Sequence, residues 1–210
     1  MQGLNKAFLQ NSVIFLGANP LRVRARQEDN SPFANLNIHA APPLFPFDLR
    51  VGAPGVELIP FTAHAKTHAL GTQRRISGLW LDYTPGLTRV IPLNNQAGYL
   101  FTPMLDGCYI GVGNNQICHV AGDVPGAGNT ATMRGFAAAA LGGAVVHGFD
   151  SNPADATQCT FVGIRGPAGW SFYVQGHDIF YNGHGALQPV FANGAHANQN
   201  VVPIVGLAYG

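Results

Sequence analysis

The chain breaks its own helices: 27 glycines and 15 prolines take up a fifth of its 210 residues. An interior Gly costs a helix about 1 kcal/mol and a Pro about 3. Long helices are therefore excluded, and many short strands joined by tight turns are expected. Disorder is excluded too, because 47% of the residues are hydrophobic and 10% aromatic, enough for a sizeable core. The length suits a single domain spanning 1–210, with 1–35 as a helical or irregular lead-in whose helical pattern breaks at Asn19-Pro20 and whose polar residues 21–35 are expected to be mobile.

Charge narrows the function classes. Charged residues make up 10% of the chain and the formal net charge is +1. Arg22, Arg24 and Arg26 form a small basic patch, as do Arg74 and Arg75, and both are read as solvated surface. Neither has the density of a nucleic-acid footprint. No apolar run reaches the ~18 residues of a membrane span, and the N-terminus lacks the basic and apolar regions of a secretory signal. Nucleic acid and membrane are thus not expected as partners, and a monomer is. Cys108, Cys118 and Cys159 have no metal-ligand spacing, so neither a zinc site nor a disulfide scaffold is expected. His64 and His68 stand at i, i+4 without an acidic ligand or an HExxH pattern. No metal or cofactor is expected.

Alternating and apolar runs predict strands at 35–39, 47–51, 56–61, 76–81, 87–93, 99–102, 108–112 and 116–120. A helix is predicted around Ala137–Ala140, and a hairpin over 159–165 and 170–175. Trp80, Phe172 and Tyr173 are assigned to the core, and Gln175 and Asn182 are candidates for lining a cleft.

The hairpin over 108–119 carries the chemistry. If Gly113-Asn114 makes the two-residue turn, Cys108 falls directly opposite His119. Facing residues share one side of the sheet with Cβ atoms about 4.5–5.5 Å apart. If Asn114-Asn115 turns instead, His119 faces Ile110, one diagonal from Cys108 and still on the same side. In both registers Cys118 points into the other layer. A thiol of pKa about 8.5 is only slightly ionised at neutral pH, and a neighbouring imidazole that takes its proton makes it a nucleophile. Gly107 permits a sharp turn before Cys108, and the N–H groups of Gly107 and Cys108 are candidate oxyanion donors. Thr102 and Asp123 are the sequence-near candidates for orienting His119.

The segment Thr102-Pro103-Met104-Leu105-Asp106-Gly107-Cys108, followed by a strand, a turn and His119, resembles the cytotoxic necrotizing factor-type glutamine deamidases. It is most similar to the Burkholderia lethal factor 1 branch, which reads Thr-x-x-Leu-Ser-Gly-Cys. The resemblance covers 99–120. Asp106 stands where the family has Ser, and the hairpin is about one residue shorter. The resemblance implies Cys108 as nucleophile, His119 as base and Thr102 as an active-site residue. It implies an α/β (α+β) fold with a central antiparallel or mixed β-sandwich flanked by a few helices. It implies a cofactor-free bacterial toxin or effector, secreted or injected into a host cytoplasm. Its substrate would be a glutamine of a host protein such as a small GTPase or translation factor. A transglutaminase using the same thioester and a non-enzymatic β-rich binding module are the alternatives.

Overall fold

In a computed structural model of the chain, the described residues are 2–19, 21–37, 43–52, 55–61, 75–93, 96–143, 145, 147–151, 157–178, 183–184 and 188–189. The expected shortage of long helices holds there. The described helices are α1 (Gln2–Gln10), α2 (Ser12–Ala18) and α3 (Thr130–Ala140). Asn11 separates the first two and caps α2, its side chain accepting the Ile14 N–H. Asn129 caps α3 in a reciprocal box with Thr132. None of these helices is long and apolar enough to cross a membrane.

The strands are β1 (Leu21–Arg22), β2 (Leu44–Gly52), β3 (Gly55–Pro60), β4 (Ile76–Trp80), β5 (Thr88–Pro92), β6 (Tyr99–Phe101) and β7 (Tyr109–Gly113). They continue as β8 (Gln116–Val120), β9 (His147–Asp150), β10 (Thr157–Gly166), β11 (Gly169–Asp178), β12 (Gly183–His184) and β13 (Gln188–Pro189). One mixed sheet runs β1-β3-β2-β4-β6-β10-β11-β12, with β13 also on β11, and a second, antiparallel sheet runs β5-β8-β7-β9. The protein is mixed α/β and mostly sheet, as the glycine and proline content required.

Strand alternation divides the apolar residues into three clusters. Between the sheets lie Leu79, Leu100, Phe161, Trp170 and Val174 from the larger sheet and Ile110, Val112, Ile117 and Phe149 from the smaller. Beyond the larger sheet, Phe8, Phe15 and Leu16 of the N-terminal helices pack with Phe33, Phe47, Trp80 and Phe101. Beyond the smaller sheet, Met133, Ala137 and Leu141 cover Tyr109, Cys118 and Val120. The order of layers is helices, sheet, sheet, helix.

Three expectations change. Residues 35–37 form no strand, and 38–39 lie outside the described residues. Strand β2 begins at Leu44, inside a segment expected to be loop through Pro46. The polar lead-in is anchored: Leu21, Val23 and Phe33 are fully buried, and Phe33 stacks on Trp80 at 4.3 Å. Its arginines are ion-paired, Arg22 to Glu28, Arg24 to Glu57 and Arg26 to Asp82, so the patch is neutralised. Arg74, His39, His64, His68, His196 and Asn182 lie outside the described residues.

Candidate active site

The hairpin adopts the Asn114-Asn115 register. Both asparagines have left-handed backbones, φ 51° and 55°, as a type I′ turn demands. The Asn114 amide donates to the Leu141 carbonyl at 2.9 Å, which ties the turn to the end of α3 and favours this register. Ile110 therefore faces His119, and the Gly113-Asn114 turn that would set Cys108 directly opposite His119 is not used. Cys108, just ahead of β7, and His119 are diagonal neighbours on the face between the sheets. Arg89 of β5 lies across from His119 on the other side of the row.

The residue directly across from Cys108 is Ser151, which follows β9. The Cys108 N–H donates to Ser151 Oγ at 2.9 Å, and the Ser151 hydroxyl donates back to the Cys108 carbonyl at 3.0 Å. Ser151 N–H also donates to that carbonyl at 2.9 Å, and Gly107 N–H donates to the Ser151 carbonyl at 2.7 Å. Four hydrogen bonds thus fix the Cys108 backbone. They also occupy both N–H groups, Gly107 and Cys108, on which the sequence placed the oxyanion hole. Gly107 has φ +66°, the left-handed conformation that suits glycine. Gly122 packs so closely that any Cβ there would run into the Gly107 carbonyl.

The thiol is closed off. Cys108 is 3% exposed, and its sulfur contacts the Asp106 carbonyl at 3.6 Å. Burial pushes the thiol pKa up; the backbones of Gly122 and Asp106 pull it down, and the Asp106 and Asp123 carboxylates push it up again. His119 is 2% exposed, and neither ring nitrogen has a hydrogen-bond partner. Burial lowers its pKa to about 4, opposed by the Asp82 backbone, which lies near enough to interact with the ring but not in the geometry of a full hydrogen bond. The ring is thus neutral at pH 7 and keeps one nitrogen able to accept a proton.

Neither proposed orienting group reaches His119. Thr102 is fully buried, and its hydroxyl donates to the Pro103 carbonyl at 2.9 Å. Exposed Asp123 accepts the Gly86 N–H at 2.9 Å and lies within electrostatic reach of the Tyr83 hydroxyl. Tyr83 is the neighbour the sequence did not reveal: its ring lies 5.7 Å from that of His119, centroid to centroid, tilted by 47°. Behind it, buried Asp82 accepts from Trp80 Nε1 at 3.0 Å and pairs with Arg26, and its carboxyl pKa is raised by burial.

Other candidates fall elsewhere. Cys118 is fully buried under α3, as its alternation predicted, and Cys159 lies in the core between the sheets. Gln175 lines no cleft; it accepts the Leu21 N–H at 2.8 Å and donates to the Leu16 carbonyl at 3.0 Å, joining the N-terminal segment to β11. Among the described residues, no three His, Cys, Asp or Glu side chains gather as metal ligands. No protein-family model matches the chain, and no curated protein matches it.

Proposed function

We propose that the chain is a cysteine-dependent protein glutamine deamidase, a hydrolase of side-chain carboxamides. The observation that carries this reading is an unpartnered, buried His119 on the same sheet face as Cys108, one diagonal away. A buried polar group left unpaired costs about 1–3 kcal/mol, and such groups call for a functional or structural reason. A proton arriving from the thiol, or a carboxamide bound beside the ring, gives His119 its partner.

In this mechanism His119 takes the Cys108 proton and the sulfur attacks the carboxamide carbon. The proton on His119 passes to the departing ammonia, leaving a thioester. Water, deprotonated by His119, then hydrolyses the thioester, releases glutamate and restores the thiol. The Gly107 and Cys108 N–H groups are held by Ser151, which leaves the Gly122 and Asp106 backbones as the polar groups facing the sulfur. The resemblance of the Cys108 segment adds a bacterial toxin or effector delivered into a foreign cell, acting on a host protein of the GTPase or translation-factor kind. Transglutamination differs only in using an amine in place of water.

A second reading has its own support. The 3% exposure of Cys108 suits a β-rich binding module in which the thiol is simply packed. One experiment separates the readings. Glutamine-bearing candidate proteins are incubated with wild type or Cys108→Ser and weighed intact. Deamidation adds about 1 Da per glutamine with wild type alone. An amine adduct would mark transglutamination. Equal masses in both samples, together with Cys108 alkylating no faster than Cys118, would leave the binding module standing.

A further inference from the structure

The closed state of Cys108 has an identifiable cover. The segment 81–87 between β4 and β5 crosses the site as irregular chain and turn. Tyr83, at its centre, is half-buried and packs against the apolar cluster that contains Cys108. Its ring lies against His119. Its hydroxyl lies within electrostatic reach of both the Asp123 carboxylate and Cys108. Asp123 is in turn held by the Gly86 N–H, so ring, carboxylate and turn close a loop across the site. The segment is further tied at the Tyr83 carbonyl, which accepts from Gln27 Nε2 at 3.2 Å.

We infer that Tyr83 determines access to Cys108: its ring occupies the place of the substrate carboxamide beside His119, and the attraction between its hydroxyl and Asp123 latches it there. This deepens the deamidase reading and rests on it for the identity of the substrate. The chemistry of the exchange is specific. A phenol ring cannot give the imidazole nitrogens a hydrogen-bond partner from its face, whereas a carboxamide carries both an N–H donor and a carbonyl acceptor. A glutamine side chain that displaces the ring therefore satisfies the orphaned imidazole and meets the sulfur in the same movement. The latch is exposed on its Asp123 side, so an incoming protein surface reaches it first. Tyr83 is a positioning residue: it acts by uncovering Cys108 and releasing His119, and donates nothing to the reaction.

The test reads the thiols separately. Wild type, Tyr83→Ala, Tyr83→Phe and Asp123→Asn are treated with iodoacetamide between pH 6 and 9, and labelling of Cys108 and Cys118 is followed by peptide mass. Removing the ring is expected to speed Cys108 labelling about a hundredfold, and loosening the latch in Tyr83→Phe or Asp123→Asn about tenfold. Cys118, in the other layer, should label at its wild-type rate throughout. The Cys108 rate in Tyr83→Ala should also rise at lower pH than in wild type, because a hydrated His119 regains its basicity. Unchanged Cys108 labelling would overturn the inference, and so would equal acceleration of Cys108 and Cys118, which marks general loosening. Should Tyr83→Ala fail to fold, the other two variants decide by the same criteria. If Cys108 is unmasked as expected while no variant deamidates glutamine, the cover stands and the deamidase reading fails.

Discussion

Cys108 and Cys118 belong to one hairpin, the first just ahead of β7 and the second on β8, ten residues apart, and the sheet gives them opposite surroundings. Cys118 faces α3 among Tyr109, Met133, Ala137 and Leu141, and burial pushes its thiol up to about 12. Its chemistry is that of a small apolar side chain. Cys108 faces the other sheet, with backbone amides, two carboxylates, a tyrosine and a neutral imidazole in range. Both thiols are buried, so burial alone does not separate an inert cysteine from a poised one. The difference is what a removable neighbour would uncover. The surroundings of Cys118 are mainly apolar and aromatic, while the face that Cys108 shares carries a buried imidazole with no full hydrogen bond of its own.

If that contrast holds, acid should attack the molecule through its inner face. His119 ionises at about 4 when folded, against 6.5 when unfolded. Between those values the unfolded chain binds a proton that the folded chain refuses. Stability is therefore full above pH 6.5, falls as pH drops toward 4, and levels off below. The loss is about 3 kcal/mol across the window. Half-buried His147 is shifted the same way and adds to it, whereas Asp82, shifted up, opposes it at the acid end. Urea unfolding at pH 7 and pH 5 should show the drop in wild type and most of it gone in His119→Leu. An unchanged slope in that variant would place the acid sensitivity elsewhere.

The outer face should answer to volume instead of pH. A Cβ at Gly111 would lie 2.9 Å from that of Ala137 and 3.1 Å from the Cys118 sulfur. Gly111→Ala should cost about 2 kcal/mol through overpacking of α3 on the sheet. Thermal unfolding would record it as a lower Tm, with Cys108 labelling in the native state unaltered. A variant as stable as wild type would show this layer to be looser than its packing indicates.

The smallest effect probes the rim. The Asp106 carboxylate is exposed and disfavours the Cys108 thiolate. Asp106→Asn should raise Cys108 labelling at pH 7 only about twofold to threefold, since solvent screens an exposed charge. A rise that persists in 1 M salt would mean that the carboxylate acts by contact and not by its field.

How much of this was readable in the residues depends on sequence distance. The hairpin, its flanking turn residues and the parity that separates Cys108 from Cys118 follow from alternation, which is local. The register did not, because Gly-Asn and Asn-Asn both suit a primed turn, and a bond to Leu141 favours one of them. Thr102 drew attention by lying near the motif, yet its hydroxyl turns to its own neighbour's carbonyl. Ser151 and Tyr83 carry no motif and come from other strands' ends, so only the folded topology brings them to Cys108. The same holds for Arg24 and Arg26, whose acidic partners Glu57 and Asp82 lie on or just after distant strands.

The clamp from Ser151 also has a consequence in time. Its hydroxyl lies 43 residues downstream of the sulfur whose backbone it holds. At ribosomal rates that interval lasts roughly two to nine seconds. Throughout it a nascent chain carries Cys108 as an ordinary thiol, with the sheet edge that fixes it not yet made. The clamped site comes into being only once synthesis has passed β9, so a prematurely ended product has the thiol without its mounting.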